Sequence, residues 1–125
     1  MLESFYTRLT AYFGPPYSSP EQAKMEGGGE DCIGNALRTL NDFMGDHATY
    51  VSVAAAPGQF PYGTRLCIPA INDAMGRNID FRVVDTGSPK YFTGRSHLDI
   101  CVSGESASFS ELLNRDHVLV IASMP

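Results

Sequence analysis

From Tyr50 onward the chain is a succession of short apolar runs broken by Gly, Pro or Asn every ten or so residues. That punctuation is the pattern of a small all-β barrel or sandwich, in which strands are brief and turns are tight. Five strands are predicted: Tyr50–Ala54, Thr64–Ile68, Ile79–Val84, His97–Val102 and Val118–Ile121. An earlier candidate, Thr7–Phe13, is stopped by Gly14-Pro15-Pro16. Between Gly14 and Asn35 the chain is dense in Gly, Pro, Ser and acids without sustained periodicity, which predicts a long irregular loop. Ala36–Met44 places Leu37, Leu40, Phe43 and Met44 at helical spacing before Gly45, and Ser108 with Glu111 has capping-box spacing ahead of the last strand. One or two short helices are therefore expected beside the strands.

With 125 residues, 43% of them hydrophobic and 18% charged, the chain reads as one folded, turn-rich domain spanning 1–125. Nine Lys and Arg against 14 Asp and Glu leave a formal charge of −5, and no basic run exists to follow a phosphate backbone, which argues against nucleic acid as a partner. No 18-residue apolar window exists, so no membrane-spanning helix is expected. Met1–Phe13 lacks the apolar stretch and cleavage site of a secretory signal, which leaves localisation open. Cys32, Cys67 and Cys101 form neither a C-x-x-C pair nor a zinc spacing, so no metal or other cofactor is expected and at most one internal disulfide can form.

The strongest local signal is Val83–Val102, VVDTGSPKYFTGRSHLDICV. Two carboxylates, Asp85 and Asp99, flank one loop. Side chains alternate along a strand, so His97, Asp99 and Cys101 share one face while Leu98, Ile100 and Val102 take the core. An Asp in an apolar strand must be hydrogen-bonded, paired or part of a site. A salt bridge from Asp99 to Arg95 or Arg82 is the structural alternative, and Asp85 before Thr-Gly also suits a turn. His97 is eligible for proton transfer because histidine ordinarily titrates near neutrality. The Gly27–Gly29 segment between Glu26 and Asp31 allows close backbone approach to a ligand.

At these residues the chain resembles the 3D domains of bacterial cell-wall proteins, a double-psi β-barrel family that includes the catalytic barrel of membrane-bound lytic transglycosylase. Glu26-Gly27-Gly28, Asp31, Gly34 and Leu37 are similar to the family's E-G-G-x-x-D-x-x-G-x-x-L stretch. Val51–Ala54, Pro61–Leu66 and Ile68-Pro69 resemble its V-x-V-A and P-x-G-T-x-L-x-I-P strands, and Asp85-Thr86-Gly87 with Gly94-Arg95 and Leu98–Ile100 its D-T-G and R-x-D-I signature. The resemblance covers most of Leu9–Ile121 and implies a six-stranded barrel with pseudo-two-fold symmetry, Thr7–Phe13 supplying the sixth strand. It implies Asp99 as the single catalytic acid and base, supported by Asp85, and peptidoglycan glycan strands as the partner in a bacterial envelope. Thr86, Gly87, Arg95, His97, Tyr62, Tyr91, Glu26 and Asp31 are the expected substrate-binding residues. Tyr12, Phe13, Tyr17, Phe60 and Phe92 join Tyr62 and Tyr91 as aromatics able to stack on sugar rings or to pack the core.

A lytic transglycosylase needs Asp99 to begin as an acid, and partial burial beside Asp85 is expected to raise its pKa for that purpose. The family's enzyme has a second domain walling its groove, so a single barrel implies an open groove, a second protein chain that completes it, or a loss of activity. Two other functions fit the residue types: a non-catalytic glycan-binding barrel, and a cysteine hydrolase. In the latter His97 would activate Cys32, because Cys101 lies four residues along the same strand, about 13 Å away.

Overall fold

The computed structural model describes residues 2–13, 33–87, 92–104 and 110–124. Six strands, β1 (Leu2–Phe13), β2 (Val51–Ala55), β3 (Thr64–Cys67), β4 (Phe81–Thr86), β5 (His97–Val102) and β6 (Arg115–Ser123), close into a barrel in the order β1-β5-β2-β4-β3-β6. Two short helices, α1 (Leu40–Met44) and α2 (Pro69–Met75), complete the described secondary structure. The mainly-β expectation holds. The long loop expected from Gly14 lies, up to residue 32, outside the described residues.

Pairings β1·β5 and β2·β4 are parallel, and the other four are antiparallel. Exchanging β1, β2 and β3 for β4, β5 and β6 returns the same ring order and the same strand directions. The topology therefore has pseudo-two-fold symmetry about the central β2·β5 pair, and is compatible with a double-psi barrel. Closure leaves no sheet edge unpaired, which suits strands as short as the four residues of β3.

Alternation fills the interior. Leu98, Ile100 and Val102 from β5 meet Val51, Val53 and Ala55 from β2, Phe81 and Val83 from β4, and Val118, Val120 and Ala122 from β6. Leu40 and Phe43 of α1 and Ile71 of α2 join the same core. Among the described residues no helix is long and apolar enough to cross a membrane.

The termini of the elements depart from the sequence reading for identifiable reasons. β1 begins at Leu2 because residues 2–7 pair with β6, although Leu2 and Tyr6 remain exposed and leave no apolar signature. β6 likewise extends back to Arg115 through a polar Arg-Asp-His stretch. α2 was not anticipated, since it buries only Ile71; its signals are Pro69 in the first turn and Gly76 in the left-handed region just past the end. The expected Ser108–Leu113 helix is, in its described part, a turn closed by the Leu113 N–H on the Ser110 carbonyl, and Ser108 lies outside the described residues.

Candidate active site

β5 occupies the predicted limits and presents His97, Asp99 and Cys101 on the face away from its three core residues. Its neighbours decide what surrounds Asp99. Thr10 of β1 is its register partner on one side and Ala54 of β2 on the other, and Ala54 is in turn paired with Asp85 of β4. Directly opposed residues share a face, so Thr10, Asp99, Ala54 and Asp85 form one row across four adjacent strands. The pseudo-two-fold exchange relates Thr10 to Asp85 and Asp99 to Ala54. The small Ala54 between the two carboxylates is itself buried, and the Tyr12 side chain of β1 reaches across β5 and β2 to Asp85 of β4.

A bulge brings Asp85 into this row. Strict alternation from Phe81 and Val83 would aim residue 85 at the core. The β2·β4 register instead slips between Val53 and Ala54, so that Val83 opposes Val53 but Asp85, not Val84, opposes Ala54. One extra residue thus turns the carboxylate from inside to outside, as bulges commonly re-aim a side chain.

Hydrogen bonds organise the row. The Thr10 hydroxyl donates to Asp99 Oδ1 at 2.8 Å and lies 2.7 Å from His97 Nε2. Asp85 accepts from the Tyr12 hydroxyl at 3.3 Å and from the Thr86 N–H at 3.0 Å. Burial is the main cause that holds the Asp99 carboxyl above the usual carboxylate range, with the charge of Asp85 adding to it; Thr10 and His97 act in the opposite sense. Burial, with Cys101, Asp85 and Asp99 close by, pushes the Tyr12 hydroxyl up, so it stays a donor. The arginines named in the structural alternative are engaged elsewhere: Arg82 with Asp80 at 2.8 Å, and Arg95 with Glu3.

His97 is fixed from one side by Phe92, whose ring stacks on the imidazole at 4.2 Å and 4°. Phe92 in turn fills the space against Gly87: a Cβ there would come within 2.2 Å of two ring carbons. The glycine of the Asp-Thr-Gly turn thus serves a close approach. Phe92 is buried packing and not an exposed platform.

Of the remaining predicted residues, Thr86 is exposed next to Asp85, while Tyr62 is exposed with its hydroxyl accepting from Asn35. Arg95 sits over Phe60 and Phe5 beside Glu3, at the other half of β1 from the carboxylate row. Glu26, Asp31, Cys32, Tyr17 and Tyr91 lie outside the described residues. Cys101 is 1% exposed and its thiol is pushed up to about 12, chiefly by burial, which removes it as a nucleophile near neutral pH. Among the described residues no three His, Cys, Asp or Glu side chains group to hold a metal ion. An apolar cavity of about 420 Å³ between Leu2, Leu66, Cys67 and Ile121 includes none of the described candidate residues. Thr10, which sequence reasoning missed, had one signal: Arg8, Thr10 and Tyr12 alternate with Leu9, Ala11 and Phe13, marking a polar face on β1.

No family model, curated protein or solved structure matches this chain.

Proposed function

We propose that this chain is a lytic transglycosylase-like barrel, of the double-psi 3D-domain type, that cleaves the glycan strand of peptidoglycan in a bacterial envelope. The observation that carries the reading is Asp99: a half-buried carboxyl on the outer face of a barrel strand, held above the usual carboxylate range, in one row with a second carboxylate. The sequence motifs around Asp85 and Asp99 add the substrate class.

In this reading Asp99 protonates the leaving glycosidic oxygen. The carboxylate so formed then assists the sugar's own 6-hydroxyl in attacking C1, giving a 1,6-anhydro product without water. One carboxyl serves in both steps, so its raised pKa matters more than a matched carboxylate pair. Asp85, held by Tyr12 and Thr86, supports the positive charge that develops on the sugar. Thr86, Gly87, His97 and Tyr62 are proposed to border the glycan, and a second chain is proposed to wall the open side.

Incubation of wild type and Asp99→Asn with sacculi, followed by mass spectrometry of the soluble products, tests the proposal. Anhydro-muropeptides are expected from wild type, with release falling about 10²–10⁴-fold in the variant, the usual range for a general acid. If both proteins bind sacculi and neither releases fragments, the barrel is a glycan-binding module.

A further inference from the structure

We propose that His97 is a positioning residue that sets the protonation of Asp99 through the hydroxyl of Thr10. Thr10 Oγ1 lies 2.7 Å from His97 Nε2 and 2.8 Å from Asp99 Oδ1. A hydroxyl has one proton, so it cannot donate to both partners. The three groups form a chain with two consistent settings. With Asp99 ionised, Thr10 donates to Oδ1 and accepts from His97, whose Nε2 must then carry a proton. With the proton on Oδ1, both bonds reverse: Asp99 donates to Thr10, Thr10 donates to Nε2, and the neutral ring keeps its proton on Nδ1.

An imidazolium ring allows only the first setting, because its Nε2 has no lone pair to offer. A protonated His97 therefore favours the Asp99 carboxylate, whereas a neutral ring gives the acid form an acceptor at the end of the chain. The imidazole is held for this task by the Phe92 stack, and Phe92 by its contact with Gly87. Among the described residues, the other ionisable groups around Asp99 and His97 come from the neighbouring strands: Arg8 and Tyr12 from β1, Cys101 from β5 itself and Asp85 from β4, while β2 offers Ala54. Arg8 is turned to Asp116 at 3.6 Å, and Tyr12 to Asp85, so Thr10 is the shared partner of the histidine and the acid.

For its catalytic consequence the inference rests on Asp99 being the acid of a glycan-cleaving site. Its test needs no substrate, so the two fail separately. In the 125-residue chain, carbon NMR follows the Asp99 carboxyl through a pH titration and nitrogen NMR follows the His97 ring. In wild type the His97 nitrogens are expected to show a step at the Asp99 midpoint, and that step is expected to vanish in Thr10→Val and persist in Thr10→Ser. His97→Phe is expected to move the Asp99 midpoint upward, with most of that shift lost in the Thr10→Val background. A His97 signal indifferent to Asp99 in wild type would overturn the proposal without recourse to any variant. So would an equal upward shift in both Thr10 backgrounds, which would mean direct charge interaction. If these titrations behave as expected while no variant or wild type releases glycan, the coupling stands and the proposed activity falls.

Discussion

A methyl group added at Gly87 puts the packing behind the candidate acid under a measurable load. Its carbon would lie 2.2 Å from Cδ1 and Cε1 of Phe92, whereas relaxed carbon contacts sit at about 3.5–4.0 Å. The ring must retreat by about 1.5 Å, and the imidazole stacked 4.2 Å away restricts where it can go. If the ring stays in, overpacking costs about 1–3 kcal/mol. If it is expelled, Phe92 gives up its burial, roughly 1.5–3 kcal/mol for a phenylalanine side chain. Both routes converge on about 1–3 kcal/mol. For a chain of 125 residues, an unfolding entropy of about 2.1 cal/mol/K per residue makes each kcal/mol worth roughly 4 °C in Tm. Gly87→Ala is therefore expected to lower Tm by about 4–12 °C and to disturb the His97 ring signals, as read by thermal unfolding and NMR. In a Phe92→Ala background the same substitution should cost little more, because the clashing ring is gone. A change within about 0.5 kcal/mol of wild type, or an equal cost in both backgrounds, would refute the packing argument.

Asp99→Asn should gain stability relative to wild type as pH rises from below the ordinary carboxylate range to neutrality. A folded pKa raised by burial makes the wild type lose stability as Asp99 ionises, and an amide has no charge to bury; a flat or opposite trend in denaturant midpoints across that range would contradict it. Alkylation of the folded protein at neutral pH, read by peptide mass spectrometry, should modify the exposed Cys67 and spare Cys101, whose thiol is buried and pushed up to about 12. Tyr12→Phe removes a donor from Asp85 and is expected to cost about 1–2 kcal/mol in chemical denaturation.

β5 shows how far a sequence can be read without its partners. Leu98, Ile100 and Val102 announce one face and His97, Asp99 and Cys101 the other, so the strand, its limits and its orientation follow from period two alone. Where the local signal is thin, the reading shortens: the polar ends of β1 and β6 exist as strands because each pairs with the other, not because either alternates in hydrophobicity. α2 is too short for helical periodicity to show, and only its terminal Pro69 and Gly76 mark it.

The candidate site divides in the same way. That Asp99 stands on a polar strand face was settled by the order of residues, since side-chain direction along a strand is a local property of the backbone. That Thr10 stands beside it was not, because β1 and β5 are joined by a parallel pairing of residues 89 apart in the chain. Asp85 is the sharper case. Counting along β4 aims it inward, and only the extra residue opposite Val53 and Ala54 turns it to face outward with Asp99. Local alternation is a property of one strand, whereas register belongs to two, and this row of residues exists through register.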